Sequence, residues 1–481
     1  MKTMKGNRII GMIAAVLLLV LLCGAAAADV IIDETAFPDE RFRQYISQFD
    51  ADGDGALSND ELSGVTSIEI TSTDVTSLEG LEFFQNLVSL NCEDCMLTSL
   101  DVSKNKALEE LTCSGNRLTS LDLSQNTALS LLICAFNHDL QSLEINRNIA
   151  LEELYCSECD LSFLDVSGNL SLTSLDCSFN RLSALDLSQN TELVNLDCGT
   201  NYELVSLDVS QNTKLVSLRC ELTGIESIDL SRNIELEEID ISMNSMHEID
   251  VSQNVKLKSF VAETGDLQSL DLSNNPELIT LCVYGHELTA LDVSNNAALQ
   301  RLTCCRNRLT SIDVSNNSRL VLLDCGGNQL TSLDLSQNTQ LQTLYCGGNQ
   351  LTSLDLSRNT MLQRLDCEGS VEEPEEYGNE LTALDISHNT ELRELRCGGN
   401  PLTTLDVSIS PDLSVLSCDN TQLTSLDTHN NSALKELYCN DTPLLALDLS
   451  GNPLLELLHC YNTDYRSGCQ PVCKSDGFSG F

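Results

Sequence analysis

Aligning the chain on its cysteines exposes a period. Cys92, Cys113, Cys134, Cys156, Cys177, Cys198 and Cys220 are followed by Cys304, Cys325, Cys346, Cys367, Cys397, Cys418, Cys439 and Cys460. The steps are 21 residues, with two of 22 and one of 30. Between Cys220 and Cys304 the register continues through Ile241, Ala262 and Val283, giving 18 units of which 15 carry the thiol. Apolar residues standing in for Cys mean that this position faces a core. A 481-residue chain would ordinarily divide into about three domains. A repeat escapes that division, because each unit packs only on its neighbours.

Each unit reads L-x-x-L-x-C-x-x-N-x-L-T-x-L-D-[LV]-S-x-N-x-x, as in LQTLYCGGNQLTSLDLSRNTM over 341–361. The pattern resembles the leucine-rich repeat, with Cys at the third apolar position. Cys95 and Cys159 fall where Asn usually stands, a replacement the family also uses. More narrowly it is similar to the bacterial 21-residue class, whose two half-repeats echo one another. The resemblance spans roughly residues 66–464 and implies a solenoid with a parallel sheet on its concave face and a short helical N-terminal cap. The L-x-C segment alternates inward and outward, as a strand should. Stacked at about 4.8 Å, the units would form a sheet about 85–90 Å long. The Asn after each strand is expected to bond backbone groups as an internal ladder. VTSIEITSTDVTSLEGLEFFQNL, over 65–87, reads as a longer first unit.

Charge narrows the partners. The chain carries −46. Residues 1–28 contain Lys2, Lys5 and Arg8 and no acid, so removing them takes the charge to −49. Such a field disfavours nucleic acid and anionic lipid. Residues 1–28 read as a signal peptide: three cations, an apolar run from Ile9 to about Cys23, and small residues Ala26–Ala28 before the cleavage point. Cys23 raises lipid attachment, but Leu22 before it is too bulky, which favours cleavage after Ala28. No later stretch approaches the ~18 apolar residues of a membrane span. Export is therefore expected, to a secreted or surface location; no Leu-Pro-x-Thr-Gly sorting motif is present.

Residues 29–64 read as a cap. FPDERFRQYISQF, over 37–49, places Phe42, Ile46 and Phe49 at helical spacing. DADGDGALSNDE follows over 50–61, with oxygen ligands at positions 1, 3, 5, 9 and 12: Asp50, Asp52, Asp54, Ser58 and Glu61. Ala56 offers its carbonyl at position 7 and Gly55 the turn at position 6. This matches the EF-hand calcium loop, so Ca²⁺ is the expected cofactor; the bland alternative is an empty acidic turn. Calcium would order a cap over the first repeat's open apolar edge. Internalin-like bacterial surface proteins, which the arrangement resembles, also cap that end with helix.

Two outward columns behave oppositely. In the second half-repeat the outward residue is Asp from Asp101 to Asp448, with Glu144 the exception. Stacked carboxylates repel, so each is expected to bond a nearby backbone N–H in an Asp-x-Ser turn; a calcium-lined edge is the sharper alternative. The residue before Cys varies from Asn91 to His459, which is either drift on a solvated face or a recognition surface. We favour recognition of a protein or glycan, with Tyr155, Arg219, Tyr345, Arg364, Arg396 and Tyr438 as contributors, since Tyr and Arg anchor interfaces. The acidic insertion EGSVEEPEEYGNE, over 368–380, either overhangs that face or is disordered.

Ladder thiols about 4.8 Å apart would be slightly too far at the β-carbons for disulfides. Free buried thiols are expected, against scattered disulfides or metal binding, with Cys469 and Cys473 candidates to close the tail at 465–481. The six His are scattered, no nucleophile motif accompanies them, and about 17 residues follow the last unit, so no enzyme is expected. The reading is a monomeric binding protein. A calcium-dependent spacer in an extracellular assembly, without a specific ligand, is the alternative.

Overall fold

The structure is a computed structural model describing residues 29–70, 74–369 and 378–461. Nineteen three-residue strands run from β3 (Ser67–Glu69) to β21 (Leu457–His459). Each is bonded in parallel register to its chain neighbours, and the two terminal strands are paired on one side only. The sheet is therefore open and strictly sequential, one strand per repeat, which is the expected leucine-rich-repeat solenoid. The first strand, β3, lies in the long first unit.

One unit shows why the sequence closes a turn. Leu341, Leu344, Cys346, Asn349, Leu351, Leu354, Leu356 and Asn359 are all buried. Each turn thus sends its apolar residues inward, and the stack shares one core from Phe37 to Leu444. Neither a single turn nor a pair could exclude water from both faces of such a layer. The post-strand Asn forms the ladder expected: Asn116 Nδ2 donates to the Cys92 and Cys113 carbonyls, both at 2.9 Å, and its Oδ1 accepts from Leu97 N at 2.9 Å. Cys95 and Cys159 take over the donor role, reaching the Ile70 and Cys134 carbonyls at 3.7 and 3.5 Å. A second ladder, not foreseen, comes from the Asn of S-x-N. Asn126 Nδ2, for example, donates to the Val102 and Asn105 carbonyls at 3.0 and 2.9 Å.

The cap sits on the first turn. Helix α1 (Glu40–Ile46), with a 3₁₀ turn Ser47–Phe49, starts at Asp39, whose Oδ1 accepts from Arg41 N and Phe42 N. The other Asp39 oxygen accepts from Thr76 N and Oγ1 at 2.8 and 2.9 Å, so one residue both caps the helix and ties it to the array. Phe37 and Phe42 pack edge-on at 5.9 Å, and Phe37 meets Phe83 at 5.7 Å. Tyr45 Oη accepts from Glu69 N at 2.9 Å, satisfying the open edge of β3. That edge would otherwise template aggregation. The proposed cleavage segment at 1–28, most of the acidic insertion and the tail at 465–481 with Cys469 and Cys473 lie outside the described residues.

Candidate functional site

The outward positions of the strands gather the six predicted recognition residues into two separate groups. In the first, β7 (Glu153–Tyr155), β8 (Ser174–Asp176), β9 (Asn195–Asp197) and β10 (Ser217–Arg219) set Tyr155, Asp176, Asp197 and Arg219 side by side in register. Between them lies a depression of about 230 Å³, lined by those four together with Ser174, Asn195 and Ser217. Tyr155 Oη donates to Glu153 Oε2 at 3.1 Å and lies 3.3 Å from Ser174 Oγ. Asp197 Oδ1 accepts from Gly199 N at 3.1 Å. Burial, aided by the charges of Glu221 and Asp176, pushes the Asp197 carboxyl up to about 7 even with Arg219 beside it. Glu221 is also raised, chiefly by burial. Its carboxyl folds over Gly199, where an added Cβ would lie 2.5 Å from the Glu221 carboxyl carbon. Among the described residues Arg219 makes no ion pair, and it is exposed.

The second group is tied to itself. Glu394, on β18 (Glu394–Arg396), accepts Arg364 Nε at 2.6 Å on one oxygen and Arg396 Nε at 2.8 Å on the other. Arg364 also donates to Tyr345 Oη at 2.9 Å. The Arg396 guanidinium stands 5.9 Å from the Tyr438 ring, and Tyr438 meets His459 edge-on at 5.1 Å. Tyr345, Arg364, Arg396 and Tyr438 thus form one chain of contacts. Beneath it Asp366 is pushed up to about 7, mainly by burial and also by Glu368 and Glu394, while Arg396 pulls it down.

The capping loop holds the residues read for calcium. One carboxylate oxygen from each of Asp50, Asp52 and Asp54 lies within 4.8 Å of the others; among the described residues this is the one such acidic cluster. Asp50 collects Gly53 N, Asp54 N and Gly55 N at 2.8, 3.2 and 3.0 Å. Glu61 reaches back across the loop to Ala51 N at 2.7 Å and to Ser58 N and Oγ. Ser58 also N-caps helix α2 (Asn59–Gly64) in a capping box with Glu61. Ala56 and Leu57 form β2, which pairs antiparallel with β1 (Val30–Ile31). The bond from Asp54 N lowers the Asp52 carboxyl, but the charges of Asp54, Glu61 and Asp50 outweigh it and the net shift is upward. A set of hard oxygen donors crowded enough to oppose its own ionisation fits a divalent cation such as calcium.

The constant Asp column takes the bland reading. Asp101 Oδ1 accepts from Ser103 N at 2.9 Å, and Asp122, Asp165 and Asp186 repeat the bond to Ser124, Ser167 and Ser188. Those bonds, from backbone N–H and serine side chain, hold the Asp101 and Asp122 carboxyls below their ordinary value. The nineteen described cysteines are all free thiols. Burial drives the ladder thiols Cys113 and Cys134 far above their ordinary range, so they are inert.

Sequence reasoning missed two features of the sheet face. The raised carboxyls Asp197 and Asp366 were visible only as letters in a variable column; their shifts depend on burial and on charged neighbours in adjacent turns. The other is a row of left-handed residues just past the strands.

No protein family profile and no curated protein matches the sequence. Among solved structures the chain is similar to the functional domain of InlJ from Listeria monocytogenes, described as including a cysteine ladder. The two share 29% identity at a TM-score of 0.52, over 89% of this chain and 80% of that one. The fold is that of the leucine-rich-repeat proteins. An internalin, InlF, from Listeria monocytogenes aligns at 19% identity and a TM-score of 0.53, over 79% of this chain and 100% of its own. A leucine-rich-repeat protein from Leptospira interrogans aligns at 19% and 0.55, over 83% and 97%. No helix among the described residues is long and apolar enough to cross a membrane.

Proposed function

We propose that this is a secreted or surface-associated binding protein that recognises another protein through the concave face of the repeats, with calcium in the 50–61 loop stabilising the cap. The observation that carries the reading is the contrast between columns. The scaffold residues are repeated from turn to turn, whereas the outward strand residues differ and place Tyr, Arg and carboxylates around a depression. Similarity to InlJ and InlF, together with the apolar run at 9–23, supports the exported location. A protein partner suits a long face with many side-chain types; a glycan is the second ligand class to screen.

The binding half is tested on arrays of extracellular proteins and of glycans, with and without calcium. A hit should weaken when Tyr155→Ala or Arg219→Ala is introduced, and a hit indifferent to every outward-face substitution removes the proposal. For the cap, calcium would be held by Asp50, Asp52, Asp54 and Glu61, with Ser58 and the Ala56 carbonyl completing the set. Extracellular loops of this type bind at ~10⁻⁴–10⁻³ M. At 100 times Kd, calcium should stabilise the native state by about 2.7 kcal/mol. Thermal melts of the wild type should shift upward with added calcium, and those of Asp50→Ala/Asp54→Ala should not. A wild type that melts identically with calcium and with chelator removes the calcium role.

A further inference from the structure

We propose that the depression over β7–β10, with the apolar edge beside it, docks a partner polypeptide through a basic side chain flanked by an apolar one. This rests on the concave-face reading above and names the chemistry it would recognise.

The first observation is charge around a cavity. Outward residues of these turns include Glu153, Asp176, Asp197 and, on β11 (Glu238–Asp240), Asp240. Arg219 is the single cation among them. The space above Tyr155 and the two aspartates is large enough for the end of a lysine or arginine side chain. Asp176 and Asp197 flank it on adjacent strands, and the tyrosine ring gives the cation a π face. Arg219, exposed at the far side, is placed to take a carbonyl or carboxylate of the same segment.

The second observation is independent of charge. After most of the strands the residue three positions on adopts a positive φ. Elsewhere that position is filled by Gly115, Gly327, Gly348, Gly399 or a polar residue such as Asn420. Among the described residues it is apolar at Phe136 (φ 57°), Phe179 (φ 52°), Leu222 (φ 52°) and Met243 (φ 55°), in and beside the turns of the depression, with Glu158 and Thr200 filling the turns between the first three. Bulky side chains are disfavoured in this region of backbone space. Nor do they fill the core, since Phe136, Phe179 and Met243 are 49%, 50% and 47% exposed. Each lies three residues beyond the outward strand residue of its own turn, so at most ~10 Å separates the two along the chain. Apolar groups in an unfavourable conformation, most of them exposed and set just past the strands at and beside this depression, form a ledge for apolar side chains next to a seat for a cation. Nucleic acid and anionic lipid fit the ledge but not the charge; a basic polypeptide fits both.

The test titrates the full chain with a fluorescein-labelled hexapeptide, Gly-Phe-Lys-Leu-Arg-Gly, and with its counterpart carrying Glu for Lys and Arg, at 0.15 M salt. Asp176→Asn/Asp197→Asn should weaken the basic peptide about tenfold, the size of one lost charge-assisted contact. The titration is run at pH 8, above the raised Asp197 value, so that both carboxylates are charged; removing two charges of this chain's excess hardly alters its general field, so such a loss reports the site. Phe136→Gly/Phe179→Gly should weaken it a few-fold without lowering the melting temperature, because glycine is at home at these φ values. That second variant separates recognition from folding. Equal binding by wild type and both variants, no binding, or preference for the acidic peptide overturns the proposal. If the loss appears on Tyr345→Ala or Tyr438→Ala instead, the inference falls while the concave-face reading stands. If no outward-face variant matters, both fall.

Discussion

The two ends of one sheet face are built from the same residue types and use them differently. Around β7–β10 a tyrosine, an arginine and half-buried carboxylates surround an open depression, and among the described residues the arginine makes no ion pair. From β16 (Thr343–Tyr345) to β21 the tyrosines and arginines are occupied with one another through Glu394. The scaffold beneath is the same, so the difference lies in one acid. A glutamate two residues before Arg396 can reach both arginines; the corresponding residue before Arg219 is Ser217, which cannot. An unsatisfied cation is available to a ligand, whereas a satisfied one costs a ligand its existing partners. In the proposed function the first region is the one that binds, and the second stiffens the array.

The sharpest way to break this comparison is to remove that acid. Glu394 is only 18% exposed and carries both ion pairs. Glu394→Gln leaves two guanidiniums with an uncharged partner in a partly buried setting. It should destabilise the C-terminal turns by about 2–3 kcal/mol, somewhat below the cost of breaking a fully buried pair because both arginines are partly solvated. The matching change in the first region, Glu153→Gln, replaces the charged acceptor of the Tyr155 hydroxyl with a neutral one and should cost ~1 kcal/mol or less. Urea melts and amide exchange of the strands would show both. Equal costs would mean that the two regions do not differ as described.

Lowering the pH should sharpen what they share. Burial raises Asp197 and Asp366 to about 7, far above the value of an aspartate in an unfolded chain. The folded form therefore holds protons that the unfolded form releases. Stability from these groups is greatest in acid, and falls as the pH climbs toward and past 7. Between pH 5.5 and 8 each should remove about 1–2 kcal/mol. The Asp column works oppositely, but its carboxyls sit below their ordinary value and are ionised in both states across this window. Melting temperature should thus be higher at pH 5.5 than at pH 8, and Asp197→Asn/Asp366→Asn should flatten most of the slope. A slope unchanged in that variant would place the titration elsewhere.

What could be read beforehand follows from how local each cause is. The solenoid was legible because the 21-residue spacing of Leu, Cys and Asn is itself the geometry of one turn. The loop ligands Asp50 to Glu61 were legible because they are contiguous. The Asp-x-Ser turns, such as Asp101 with Ser103, needed only two residues. By contrast, the pairing of Arg364 with Glu394 spans the insertion, where the spacing changes, and the raised carboxyl of Asp366 depends on its burial in the stack, with Glu368 and Glu394 adding to it and Arg396 opposing it. Tyr155 and Arg219 were singled out by residue type alone; that they border the same depression is a property of neighbours across turns. The apolar left-handed residues were hidden for a simpler reason: their position varies in the repeat, and its φ is not written in the letters.

The finest distinction between the regions is one of shape at constant charge. Arg396 uses Nε toward Glu394 and lays its guanidinium plane by the Tyr438 ring. Lysine offers a point charge with no planar face, so Arg396→Lys should keep the charge and lose geometry, at about 1 kcal/mol. Arg219 engages no carboxylate within ion-pair distance among the described residues, so Arg219→Lys should stay within about 0.5 kcal/mol of wild type, as surface changes do. Differential melts of the two variants measure this directly. A cost at Arg219 equal to that at Arg396 would mean that the first region is also internally paired in solution, and that its arginine is not free to meet a partner.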